Sequence, residues 1–194
     1  MEIKGDSHRF GQRVSFLSTD RTLLKPRNTK IEFLLLSPES PLKKYIHHTR
    51  LSFSTSITPL SDWSGECENI GSYIVSDEEI WSNKRHFSKL AGQFLATATF
   101  LGLNDLHFEN VLFIKRNGVF SLEPVDLEII YYQFITAAET CLFPSPKAKK
   151  NECGYHRLIP FMQKEEIEIF CDHFIQSWRF FSSHAEEIFN DVDN

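Results

Sequence analysis

An α+β fold is predicted, with a small strand-rich part to about residue 70 and a mostly helical part over 71–194, from three patterns in the 194-residue chain. Apolar residues alternate over 14–18 and 22–27 around a tight turn at Thr19-Asp20-Arg21, the pattern of a β-hairpin. Ile80, Trp81, Phe87, Leu90, Phe94, Ala98 and Leu101 recur at helical spacing, as do Ile167, Phe170, Phe174, Trp178, Phe181 and Ile188. Between these stretches, apolar segments at 111–114 and 119–123 flank a turn over 115–118, a second hairpin set into the helical part.

Composition bounds the rest. With 41% hydrophobic and 24% charged residues, the chain can bury one sizeable core or two small lobes, and it reads as soluble and globular. Lys plus Arg number 21 against 26 for Asp plus Glu, a net charge of −5 that argues against a nucleic-acid partner. The apolar runs, such as 33–36, are too short for a membrane span, and the first residues lack the apolar core of a signal peptide. Cytoplasmic synthesis is expected, with signal-independent secretion into a host or target cell left open. Cys67, Cys141, Cys153 and Cys171 form no C-x-x-C pair, so reduced thiols are expected; Cys153 with His156 and Cys171 with His173 lack finger-like zinc spacing.

The N-terminal hairpin has features suited to phosphates. Gly5-Asp6-Ser7-His8-Arg9-Phe10-Gly11-Gln12-Arg13 reads as a polar turn with a glycine at its start and Gly11 near its end, where backbone N–H groups can approach an anion. Lys25, on the return strand just before Pro26 stops pairing, adds a compact positive charge. The same residues also describe an ordinary hairpin with a surface lysine. Asn28 or Thr29 is the expected cap of a helix with Glu32 in its first turn, broken by Pro38 and Pro41 and continuing to His48. Glu32 is a candidate partner of Lys25. Residues 51–64 read as strand and loop, and 71–75 as a short strand near an interlobe hinge. Ser76 and Glu79 form a capping-box pattern that opens one short and one long helix ending at Gly102.

Gly102 places Asn104 and Asp105 on a loop, Asn110 stands five positions after Asp105, and Asp126 follows the second strand of the hairpin. Protein kinases use this layout: an Asp that accepts the proton of the attacking hydroxyl, an Asn that holds magnesium, and a later Asp that holds it too. Mg²⁺ is hard and keeps several waters, so one or two carboxylates plus substrate phosphates are its usual site. Asn110 and Asp126 are therefore candidate magnesium ligands, and Asp105 a candidate catalytic carboxylate. Taken singly, each is also an ordinary cap or turn residue.

Gly5-Asp6-Ser7-His8, Leu24-Lys25-Pro26-Arg27, Asp105-Leu106-His107-Phe108-Glu109-Asn110 and Pro124-Val125-Asp126-Leu127-Glu128 together resemble the dehydratase domain of class II (LanM-type) lanthipeptide synthetases, in that family's order. The resemblance covers roughly residues 3 to 132. It implies a minimal bilobal protein-kinase-like fold that uses ATP and magnesium to phosphorylate Ser and Thr of a precursor peptide and then eliminates the phosphate. Residue by residue, it implies Lys25 on the ATP phosphates, Asp105 as base, Asn110 and Asp126 on magnesium, and His107 and Glu128 lining the site. Asp6 and His8 match the N-lobe turn associated with catalysis and elimination. His8 and His107 read equally well as structural histidines, and Glu128 as a surface charge.

The family's enzymes are several times longer, with a helical region before the nucleotide lobe, a long activation segment and a zinc cyclase domain for which this chain has no room. Its elimination motif has no counterpart beyond Arg157. The expectation is an ATP- and magnesium-dependent Ser/Thr phosphotransferase without efficient elimination, acting on a peptide or protein, as a stand-alone effector or toxin kinase. The alternatives are a non-catalytic pseudokinase or synthetase remnant that binds nucleotide or protein, and a dehydratase that retains elimination. The basic run at 147–150 reads as a solvated turn or a substrate-binding loop, and the 18 Phe residues as core.

Overall fold

Strands dominate the chain up to residue 68 and helices the remainder, an α+β architecture. The structure, a computed structural model, describes residues 3–8, 12–17, 21–49, 51, 53, 55–127, 136–145 and 149–193, with backbone alone for 3–8, 12–13 and 192–193. Strands β1 (Ile3–His8), β2 (Gln12–Phe16) and β3 (Thr22–Lys25) form an antiparallel meander. Two short helices follow, α1 (Lys30–Leu36) and α2 (Lys43–His48), divided where Pro38 and Pro41 interrupt the pattern. Strands β4 (Ile57–Ser61) and β5 (Ser64–Glu68) complete the sheet in the order β1-β2-β3-β5-β4. β3 is thus the central strand, with Leu23 opposite Cys67 and Lys25 opposite Gly65.

Two expected elements take another form. Of the polar turn expected over 5–13, residues 5–8 belong to strand β1 and residues 12–13 to β2, because Ile3–His8 extends and pairs with β2, and residues 9–11 lie outside the described residues. Pairing satisfies backbone groups that composition alone assigned to a turn; the register shifts between Lys4 and His8, around Gly5, where an irregular strand tolerates glycine. The strand expected at 71–75 is a 3₁₀ turn over Gly71–Tyr73. There the Asn69 side-chain oxygen accepts the Gly71 N–H at 3.1 Å and curls the chain. Ile74 then bridges to Ile114, and the Val75 N–H donates to the Phe113 carbonyl at 3.0 Å.

The helical part is built around α4 (Lys84–Leu101), entered through α3 (Asp77–Ser82), where Ser76 Oγ accepts the Glu79 N–H at 3.2 Å. Phe87, Ala91, Phe94 and Ala98 of α4 are fully buried. α5 (Lys164–Ser183) lies along α4, and α6 (Ala185–Asp193) follows a break at His184, one residue beyond the expected Ser182-Ser183. Tyr155 is enclosed beside α4 and donates its hydroxyl to the Ala91 carbonyl at 2.7 Å. Much of the Phe content is core: Phe94 and Phe170 pack against Tyr155, and Phe87 against Phe113. The hairpin of β6 (Val111–Arg116) and β7 (Val119–Pro124) turns on Asn117-Gly118, both at positive φ, the two-residue geometry that matches strand twist. Among the described residues, no helix is long and apolar enough to cross a membrane.

Candidate active site

Lys25 is 7% exposed at the end of the central strand. Its counterpart Gly65 leaves space that a side chain would fill, since a Cβ there would lie 1.9 Å from Thr29 Oγ1. The start of α1 can therefore settle onto β5; Thr29 stands at its N-cap without a side-chain capping bond, and the preceding Asn28 accepts the Lys30 N–H through its side chain at 2.8 Å. Glu32, 1% exposed and one turn into α1, then meets Lys25 Nζ at 2.6 Å. The pairing considered from sequence is present.

Arg27, given no role by sequence reasoning, joins the same cluster. Its Nη2 donates to Glu32 Oε1 at 3.0 Å and to Asp126 Oδ1 at 2.7 Å, and its Nη1 to the Leu127 carbonyl at 3.1 Å. Lys25 Nζ stands 3.6 Å from the same Asp126 oxygen. Two cations and two carboxylates thus tie β3 and α1 to the segment after β7.

The loop after α4 begins at Gly102, whose left-handed conformation ends the helix. Leu103 and Leu106 are fully buried and anchor the loop, while Asp105 turns outward with φ 62° and a side chain 69% exposed. Asn110 spans the loop: its Nδ2 donates to the Asp105 carbonyl at 3.0 Å, and its own carbonyl accepts the Val125 N–H at 2.9 Å. Committing the amide nitrogen leaves Oδ1 as the end suited to a hard cation. His107 Nδ1 accepts the Glu109 N–H at 3.2 Å, so in the neutral ring the proton sits on Nε2, the nitrogen 4.0 Å from Asp105 Oδ1. Residues 136–145 and 149–156 back this loop: Leu106 N–H donates to the Thr140 carbonyl, Phe108 N–H to the Glu152 carbonyl, and His107 bridges to Cys153.

Lys25, Glu32, Asn110 and Asp126 meet at a cleft of about 470 Å³ between the five-stranded sheet and the β6–β7 hairpin, whereas Arg27, Asp105 and His107 do not line it. Val14, Phe16, Leu23, Ile57 and Leu112 give it an apolar wall, and Lys25, Glu32, Asn110 and Asp126 a charged end. Such a slot suits a flat heteroaromatic ring bearing phosphates. Glu109, also overlooked in the sequence, lines the cleft beside Asn110. Cys67 lines it too, but burial pushes its thiol up to about 11, which leaves it unreactive.

Asn110 and Asp126 fit magnesium as an oxygen pair that leaves most of the coordination sphere to phosphates and water. Among the described residues no group of three or more His, Cys, Asp or Glu could hold a metal on its own. Asp6, His8 and Gly5 lie on β1, where the backbone alone is described; Gly11 and Glu128 lie outside the described residues, as do 147 and 148 of the basic run. Arg157 does not line the cleft: its Nε donates to Asp77 at 2.7 Å and its Nη2 to the Val75 carbonyl at 2.6 Å. Compared with protein-family models, curated proteins and solved structures, the chain matches none of them.

Proposed function

We propose that the chain is an ATP- and magnesium-dependent phosphotransferase of minimal kinase-like architecture, acting on Ser or Thr hydroxyls of a peptide or protein. One observation carries this reading: a Lys25–Glu32 pair, on the third strand and the helix after it, faces Asn110 and Asp126 in one cleft. Kinases pair a strand-β3 Lys with a helix Glu, and the pair must be in place together with the metal-binding Asp for transfer. Lys25 would bind the nucleotide phosphates, and Asn110 and Asp126 would hold magnesium. Bound magnesium would supply neutralisation of charge on the phosphoryl oxygens. Asp105, at the exposed apex of its loop, would accept the proton of the acceptor hydroxyl, with His107 Nε2 beside it to orient the carboxylate.

Engagement of Arg157 by Asp77 and Val75 favours phosphorylation without elimination. A second reading, a nucleotide-binding module without turnover, is favoured by the Arg27 contact to Oδ1 of Asp126, the carboxylate that would hold the metal.

Intact-mass spectrometry after incubation with Mg-ATP and a Ser/Thr-rich peptide pool, beside Asp126→Ala, tests the function. Gain of a phosphoryl group on peptide or protein with the native chain alone is the expected result. Loss of the elements of phosphoric acid afterwards would restore the dehydratase reading. Mg-ATP binding without transfer to any pool would favour the module.

A further inference from the structure

Among the described residues, Lys25 and Arg27 are paired with Glu32 and Asp126 at the cleft end before any ligand arrives, and Glu109 adds a further carboxylate beside Asn110. A divalent cation at Asp126 would meet a carboxylate whose Oδ1 already accepts from Arg27 at 2.7 Å and has Lys25 3.6 Å away. Without accompanying phosphates, it would be added beside two cations that already hold that carboxylate. Arg27 is also built in: its side chain is 10% exposed, against 42% for Asp126, and it bonds the Leu127 carbonyl as well as two carboxylates. The planar guanidinium spans this fork, while the charge it sets against a metal is one an ammonium also carries.

Resting on the phosphotransferase reading, we propose that Arg27 is a latch on Asp126 that makes metal binding conditional on nucleotide. In the resting site the guanidinium holds the carboxylate that magnesium needs. A polyphosphate brings the negative charge that draws the metal in, and Asp126 Oδ1 then leaves Arg27, which keeps Glu32 and the Leu127 carbonyl as partners. The coupling is reciprocal: whatever nucleotide adds to metal affinity, metal adds to nucleotide affinity. The contact that favours an idle module becomes the resting half of a two-state site. Arg27 is a positioning residue, acting through Asp126.

The test measures Mn²⁺ binding by electron paramagnetic resonance, with and without the non-hydrolysable analogue AMP-PCP, on the full chain and on Arg27→Gln and Arg27→Lys. The native chain should bind Mn²⁺ poorly alone and tightly with AMP-PCP. Arg27→Gln, which removes the competing charge, should bind Mn²⁺ alone roughly tenfold more tightly and show correspondingly weaker coupling. Arg27→Lys, which retains the charge, should keep metal-only binding weak. Equal metal-only affinity in Arg27→Gln and the native chain would overturn the latch. Should the Gln variant fail to fold, a crystal structure of the native chain with Mg²⁺ and AMP-PCP decides. Separation of Arg27 Nη2 from Asp126 Oδ1 supports the latch, and persistence of the 2.7 Å contact overturns it. If the native chain binds no Mn²⁺ even with AMP-PCP, the phosphotransferase reading itself fails. Metal binding with AMP-PCP but unaltered by Arg27→Gln defeats only the latch.

Discussion

Glu32 has Lys25 and Arg27 on the same oxygen and is almost wholly enclosed, so its charge answers two buried cations. Replacing it by Gln keeps the volume and strips that compensation. Breaking a buried pair this way costs about 3–5 kcal/mol. Glu32→Gln should therefore lower the denaturation midpoint and, on the proposed function, reduce kcat/KM for ATP; unchanged values of both would remove Glu32 from the site. Lys25 and Glu32 were each legible in the sequence as a charge in the right kind of element. Their meeting depends on Gly65, which in the sequence is one more small residue in a polar stretch. Arg27 was illegible because its partner Asp126 lies 99 positions away and no local pattern links them. The cysteines give a simpler check. Cys171 is exposed and the other three are buried, so a thiol reagent should titrate one cysteine quickly in the native protein and all four after unfolding.

Elements were legible where their own period or caps specified them. The β6–β7 hairpin, the α3–α4 pair and the C-terminal helices follow periodicity, an Asn-Gly turn and the Ser76 cap, all local signals. Strand β1 was hidden because its six residues include Gly5 and four polar side chains; pairing to β2, a non-local fact, makes it a strand. The loop of Asp105 and Asn110 is likewise fixed from outside. A Cβ on Gly154 would lie 2.4 Å from the Leu106 carbonyl and 2.9 Å from Leu142. Gly154→Ala should push the loop off residues 136–145 and 149–156. Overpacking of this kind costs about 1–3 kcal/mol, while displacement of about 1 Å at a catalytic group can cost about 100-fold in rate. On the proposed function, phosphoryl transfer should thus fall far more than stability, read by single-turnover kinetics beside thermal melting. Equal losses would mean that the glycine serves the core alone.

Across the whole molecule, two histidines set a pH response. Burial holds His86 below the ordinary imidazole range, with Lys89 adding to the effect. Burial does the same to His156, which packs edge-on to Phe108. A depressed folded value means that the unfolded chain binds the proton more readily. Stability is then fully present above the unfolded value of about 6.5 and lost as pH falls through the lower folded values. The melting temperature should drop on acidification below that point, and replacing both histidines by Gln should flatten the slope. A pH-independent melting temperature across that window would contradict the assignment. The enclosure of α4 has a further consequence for anyone who trims the gene. Every motif that suggested the function ends before residue 129, yet α4 owes part of its cover to Phe170 and Phe181 of α5. A fragment stopping at residue 132 would carry the whole chemical vocabulary and lose its grammar: Phe94 and its neighbours would face water, and the product should come out insoluble rather than as a smaller folded protein.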